Sequence, residues 1–270
     1  MISAVEVAPP GFLNFRLSRE WIVNQIEGVI TAGDRVFQQT IGQGKRAQVE
    51  FLSANPTGPL HIGRTRGAIL GDAIARVLEA CGYDQVQREY YFNNAGAQME
   101  LLGRSLQARY LQTVGYAADL PEGGYQGEYL IEIARQLAAD VGDGWQEKPW
   151  QVFKEQAEAA IFDLIRVTLG RIRIRFDNFF NEVWVYSDKS VWKTLERLRE
   201  AGYVYEALWR AGATTEEIDK AEREGKQPAT WFRSTQLGDG EDRVLVKAHG
   251  EPTYVLPDIA YHINKLEARI

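Results

Sequence analysis

Cysteine is nearly absent from this 270-residue sequence. The single one, Cys81, excludes an internal disulfide framework and suits a reducing compartment; lying in a helical pattern, it reads as a small buried hydrophobe. Long apolar runs are missing too. No stretch approaches the roughly 20 residues that a spanning helix needs, and the N-terminus has neither the basic start nor the apolar stretch of a secretory leader. A cytoplasmic protein without a membrane partner is therefore expected. Positive charge is in deficit: 31 Lys and Arg face 37 Asp and Glu, a net charge of −6, which argues against nonspecific coating of nucleic acid. With three histidines and one cysteine, no cluster has zinc-site spacing, so no metal ligands are assigned, and no nucleophile triad is readable. The glycine fingerprint of a dinucleotide site is also absent.

What is present is an apolar content of 45%, ample for a core, and one stretch around which the chain is organised: Val49-Glu50-Phe51-Leu52-Ser53-Ala54-Asn55-Pro56-Thr57-Gly58-Pro59-Leu60-His61-Ile62-Gly63-Arg64. An apolar run rich in β-branched and aromatic residues reads as a strand, two prolines and a glycine as a loop, and His61 as the entry to a patterned helix. A helix N-terminus offers unpaired N–H groups and a positive dipole end, suited to a phosphate. Ile69, Leu70, Ala73, Ile74, Val77 and Leu78 continue that helix until Gly82, and Val86 to Phe92 form a second strand, so 49–96 reads as a βαβ unit of a Rossmann-type parallel sheet.

Upstream, Val5-Glu6-Val7 looks like a strand edge and Ser18 can cap a helix carrying Trp21, Ile22 and Ile26. Downstream, helices are expected over Leu101–Leu111, Tyr129–Ala139, Phe153–Leu169 and Ser187–Ala201, then a capping box at Thr214 and Glu217. Strands are expected at Trp231–Thr235, Val244–Ala248 and Thr253–Leu256, with Pro257 as the first residue of a final helix. Arg166, Arg171, Arg173 and Arg175 are the densest basic run, either a solvated face or an RNA contact. The domain reading is a remnant N-terminal RNA-binding segment and linker over 1–48, the first half of an α/β catalytic domain over 49–96, a largely helical insertion with short strands over 97–243, and the return to the catalytic domain over 244–270.

The run Val49 to Gln98, with Gly67, Gly71-Asp72 and Arg88-Glu89-Tyr90-Tyr91-Phe92-Asn93, resembles bacterial arginyl-tRNA synthetase, a class I aminoacyl-tRNA synthetase. So do Pro10 to Phe15, Gly123 to Tyr129, Trp231 to Thr235, Asp242 to Lys247 and Tyr254 to His262. The resemblance is collinear over nearly the whole chain and implies an incomplete class I nucleotide-binding fold, truncated at both ends. It implies ATP-dependent activation of arginine and transfer to tRNA-Arg, with Mg²⁺ on the nucleotide and a monomeric enzyme. Carried over residue by residue, His61 and Arg64 occupy the catalytic motif. Pro59, His61 and Gly63 lie against ATP. Ser53, Ala54 and Asn55 meet the arginine backbone, Tyr254 and Asp258 read its guanidinium, and Phe12 and Asn14 touch tRNA. Arg64 stands where the family has a second histidine, and its charge would either repel the substrate cations or capture an anion. Asn94 stands where an aspartate is usual. The alternative reading is a non-catalytic synthetase-like module that binds arginine, nucleotide or tRNA.

Overall fold

The computed structural model describes residues Met1–Arg269. They fall into two compact units, 1–47 with 74–86, and 48–73 with the chain from Gln87 onward.

In the first unit the expected strand edge is a full antiparallel hairpin, β1 (Ile2–Ala8) and β2 (Phe12–Leu17), with Glu6 opposite Asn14 and Ala8 opposite Phe12. Ser18 caps α1 (Arg19–Ala32) as expected, its hydroxyl accepting the Trp21 N–H at 3.3 Å. No residue of α1 is buried, and Val7, Phe12 and Ile30 are largely exposed. Gly42 passes so close to Tyr83 that an added Cβ would fall 2.1 Å from the ring, which is the physical reason for a glycine there.

The second unit is built on a three-stranded sheet of order β3 (Arg46–Glu50), β4 (Gln85–Phe92), β5 (Asn178–Asn181). The first strand stops at Glu50, earlier than its apolar pattern suggests, because Leu52 and Ser53 take left-handed backbone angles (φ 70° and 34°) that no strand accommodates. β5 pairs parallel with β4, Tyr90 opposite Phe179. The sheet is thus completed by a strand from within the stretch read from sequence as insertion. Between them, α2 (Ile62–Ala80) carries Gly71 against Phe51, while α3 (Ala97–Thr113), α4 (Glu128–Val141) and α5 (Trp150–Arg171) pack a core around Leu102, Tyr110, Leu130, Phe153 and Ile161. Their apolar residues recur at helical spacing, so a single face of each is buried.

A second core gathers Phe180, Val191, Leu195, Leu245, Leu256 and Tyr261. The helix expected over Ser187–Ala201 is α7 (Ser190–Glu200), preceded by a separate short helix, α6 (Val183–Ser187). Asp188 accepts the Ser190 N–H at 2.8 Å and Lys189 turns left-handed (φ 64°), which breaks the run. An antiparallel sheet of β6 (Val204–Ala207), β7 (Ala229–Phe232) and β8 (Arg243–Val246) follows, with α8 (Thr215–Arg223) between its first two strands and the predicted capping box intact. The strand expected at 231–235 ends at Phe232 because Ser234 and Thr235 open a 3₁₀ turn held by Asp242, which accepts from the Thr235 hydroxyl at 2.7 Å. No strand forms at 253–256: Thr253 donates its N–H to Leu245 at 2.8 Å and the chain enters α9 (Val255–Asn264). Pro257 is therefore the third helical residue, where its missing N–H is still harmless.

Candidate active site

Residues of loop 53–61 line a cavity of about 380 Å³ together with Arg64 and Gln98. Neighbouring elements fix almost every turn of that loop. Tyr90, in β4, donates its hydroxyl to Ala54 O at 2.8 Å, and Tyr129, in α4, donates to Thr57 O at 2.7 Å. Burial pushes both phenols up to about 12, so they remain donors at every physiological pH. Asn55 accepts the Asn93 N–H at 3.0 Å and donates to Gln98 at 3.3 Å. Ser53 donates to Glu50 at 2.9 Å while accepting the Tyr91 N–H at 3.1 Å. These bonds hold the two left-handed residues in place.

His61 stands at the entry of α2. The Gly63 N–H donates to its Nδ1 at 3.2 Å, so the neutral ring carries its proton on Nε2 and can donate outward from there. Gly63 does not line the cavity. A Cβ there would sit 3.0 Å from the imidazole, so its smallness is what lets the ring fold back. The helix-start amides differ from the sequence expectation of unpaired donors: the Gly63 N–H goes to the histidine ring and the Arg64 N–H to His61 O at 2.9 Å. Positive charge at the cavity comes instead from Arg64, whose guanidinium has no ion-pair partner among the described residues.

Asp258 and Tyr254 do not line this cavity. Tyr254 is 75% exposed. Asp258, in the first turn of α9, belongs to an acidic group. Burial raises its pKa, and the nearby Glu182 carboxylate raises it further, against His262, which lowers it. Glu182 in turn accepts from Tyr91 at 2.8 Å, and through Tyr91 and Ser53 this group adjoins the cavity. Sequence reading missed Glu182, Tyr91 and Glu50. The period-two alternation of β4, with Tyr90 and Phe92 on one face and Glu89 and Tyr91 on the other, was the available signal for two sides with different chemistry. Phe12 and Asn14 lie on the exposed strand β2 of the other unit.

One departure from the family pattern acquires a reason. Asn94 donates its amide to both oxygens of Glu158, at 2.9 and 3.2 Å; an aspartate would set two carboxylates against each other. Of the basic run, Arg166 stacks over Phe162 and Phe179 and pairs with Asp163 at 3.0 Å.

A family model for the class I tRNA synthetases (R), catalytic domain, matches residues 25–269. The chain belongs to the class I arginyl-tRNA synthetase catalytic-domain family. Among its relatives, the arginine–tRNA ligase of Desulfotalea psychrophila is 45% identical over 268 residues, 99% of this chain and 45% of that protein. That of Anoxybacillus flavithermus is 41% identical over 98% of the chain and 45% of its own length. An arginyl-tRNA synthetase structure from Campylobacter jejuni superposes with a TM-score of 0.78 at 30% identity, covering 94% of this chain and 52% of that one. The Thermus thermophilus enzyme, 22% identical with a TM-score of 0.60, shares the fold, as the α/β reading implied. The chain thus spans about half the length of the relatives it matches. ATP is the nucleotide of this synthetase class. No helix among the described residues is long and apolar enough to cross a membrane.

The unpartnered Arg64 favours anion capture over repulsion. Arg64→His should weaken ATP binding roughly three- to ten-fold, the worth of a charge-assisted hydrogen bond at a solvent-open site. Isothermal titration of the nucleotide checks this, and tighter binding by the variant would show that Arg64 repels.

Proposed function

We propose that this chain acts in arginine–tRNA ligation: arginine and ATP give arginyl-adenylate and pyrophosphate, and the terminal ribose of tRNA-Arg then takes the arginyl group and releases AMP. The observation that carries the reading is one contact chain, in which Ser53 joins the cavity holding His61 and Arg64, through Tyr91, to Glu182, whose charge acts on Asp258. A molecule with a cationic end and a carboxylate end, lying across that junction, would present its carboxylate toward the nucleotide.

In this reading the loop at Ser53, Ala54 and Asn55 positions the arginine backbone, and Pro59, His61 and Gly63 lie along the ATP side. As the arginine carboxylate oxygen bonds to the α-phosphorus and the bond to pyrophosphate breaks, charge grows on the phosphoryl oxygens. His61 Nε2–H and the Arg64 guanidinium are the donors available to them. Asp258, with Tyr254 from the preceding residue stretch, accepts the planar guanidinium fork, which lysine cannot reproduce. Phe12 and Asn14 supply an exposed tRNA contact in the other unit. Magnesium is expected with the nucleotide, but no carboxylate lines the cavity and no group of three His, Cys, Asp or Glu side chains among the described residues could hold a metal. These side chains do not fit a protein-held Mg²⁺, and no step here depends on one. The reading goes with a cytoplasmic, monomeric protein, and we propose segments 1–48, 49–96, 97–243 and 244–270 as its functional divisions.

Titration calorimetry tests the proposal: arginine should bind more tightly than lysine or citrulline, and Asp258→Asn should erase that preference, a loss of about 1.5–3 kcal/mol for a hydrogen bond to a charged group. Equal affinity for all three ligands would remove the assignment. The same variant carries a stability signature. A carboxyl whose pKa is raised on folding holds its proton more tightly folded than unfolded, so ionising Asp258 costs stability as pH rises through its folded pKa. Asp258→Asn should therefore raise the melting temperature at neutral pH, by roughly 1–3 °C, while it lowers arginine affinity.

A further inference from the structure

The two tyrosines that hold loop 53–61 act on different peptides of it, Tyr129 on Thr57 O and Tyr90 on Ala54 O. Both peptides are trans, and a trans peptide is planar with its N–H pointing opposite to its C=O. Drawing the Thr57 carbonyl toward α4 therefore turns the Gly58 N–H away from α4, and drawing the Ala54 carbonyl toward β4 turns the Asn55 N–H away from β4. Neither N–H has a hydrogen-bond partner among the described residues, whereas the Thr57 N–H between them is engaged by Asn55 O at 2.8 Å. Asn55 and Gly58 both line the cavity. A glycine lets Tyr129 reach Thr57. The ring folds back over the start of α4, where a Cβ on Gly127 would fall 2.3 Å from Tyr129 Cε1 and 2.6 Å from Cδ1. Gly127 itself has an ordinary backbone angle (φ −59°), open to any residue, so it is the ring and not the backbone that calls for glycine there.

We propose that Tyr129 is a positioning residue for the nucleotide: through Thr57 O it presets the Gly58 N–H as a donor to an ATP phosphate oxygen, with Gly127 leaving room for the ring. Tyr90 acts likewise through Ala54 O, presetting the Asn55 N–H for the arginine carboxylate. A donor fixed before the anion arrives needs no reorganisation when it binds. The choice of ligands rests on the ligase reading; the setting of the two peptides does not.

Titration calorimetry on the full chain separates the two halves. Tyr129→Phe should weaken ATP binding roughly three- to ten-fold, the worth of one neutral hydrogen bond, and leave arginine within about two-fold of the parent. Tyr90→Phe should do the reverse. Gly127 does not line the cavity, yet Gly127→Ala should weaken ATP binding as Tyr129→Phe does and add little to it, because both act through one hydrogen bond. A merely structural role would lower both affinities together. Amide hydrogen exchange of the ligand-free chain reads the loop independently of any ligand: Tyr129→Phe should speed exchange at Thr57, Gly58, Leu60 and His61 several-fold and leave α5 unchanged. If the parent binds neither ligand, the ligase reading falls and the assignment of ligands with it. If the parent binds both, but Tyr129→Phe binds ATP like the parent or loses both ligands equally, the positioning role alone is overturned. Unchanged exchange across the loop overturns that role whatever the ligands do.

Discussion

Glu89→Ala is expected to destabilise the second unit by about 3–5 kcal/mol, the cost of removing one partner from a buried ionic group. The Glu89 side chain is completely buried in β4. It accepts from the Tyr261 hydroxyl and the Arg269 guanidinium, and from the Asn178 amide at 2.6 Å, with Lys265 at 4.0 Å. Arg269 and Lys265 also lie over the Tyr261 ring, and Arg269 over Phe180. Removing the carboxylate leaves two buried cations sharing Glu50, which Lys265 approaches to 2.8 Å. Burial alone would push Glu50 up, but the Lys265 hydrogen bond and charge outweigh it and hold the carboxyl below its ordinary value. That contribution to stability is present above the unfolded-state pKa of Glu50 and is lost as pH falls through the folded one. Urea denaturation followed by near-UV absorption or fluorescence should show the midpoint fall, and Glu89→Gln, which keeps the shape and one acceptor, should lie between variant and parent. A Glu89→Ala midpoint equal to the parent's would mean that the group contributes nothing net.

Gly71→Ala should be nearly as costly, for a steric reason. A Cβ at this position in α2 would fall 2.1 Å from Phe51 Cγ and 2.3 Å from Phe51 Cβ. These atoms are close to the backbone and cannot swing aside, and the Phe51 ring is already packed 4.5 Å from Phe176. Overpacking of this sort costs typically about 1–3 kcal/mol, occasionally more. Phe51 immediately precedes the left-handed pair Leu52 and Ser53, so the displacement is passed directly to the cavity loop. The expected result is a lower melting temperature together with loss of the ATP and arginine affinity proposed above. A variant as stable as the parent that binds both ligands normally would show that α2 can move away from β3 without consequence.

Local patterns were legible where one principle acted alone. Ser18 and the Thr214–Glu217 box mark helix starts because a hydroxyl and a carboxylate satisfy end amides wherever they occur. The helices α3, α4 and α5 follow from apolar spacing. Patterns failed where a distant partner decided the outcome. Val49 to Leu52 has the composition of a strand, but Ser53 is pulled out of it by Glu50 and the β4 backbone at Tyr91. Thr253 to Leu256 has the composition of a strand, but Thr253 spends its hydrogen bonds on β8 and the rest joins a helix. The cavity lined by residues of 53–61 and Arg64 falls in the stretch that the motif singles out. Glu182 could not be found that way, because nothing in Asn181-Glu182-Val183 distinguishes that carboxylate until β5 brings it to Tyr91. The closed amides of Gly63 and Arg64 were equally invisible, since one depends on the rotamer of His61 and the other on the backbone turn at His61 O.

The parallel pairing of β4 with β5 has a consequence for the order in which the second unit assembles. Glu89 and Asn178, 89 residues apart, meet across that ladder, whereas the contacts among α3, α4 and α5 are made within the excursion between the two strands. Each doubling of a loop adds only about 0.6 kcal/mol of closure entropy, but that entropy must be spent before a non-local strand pair returns anything. Folding the three helices first shortens the free chain between the strands from a long coil to a compact body. The helical layer is therefore expected to be the nucleus that delivers β5 to β4, with Glu182, just past the end of β5, among the last side chains to take its place.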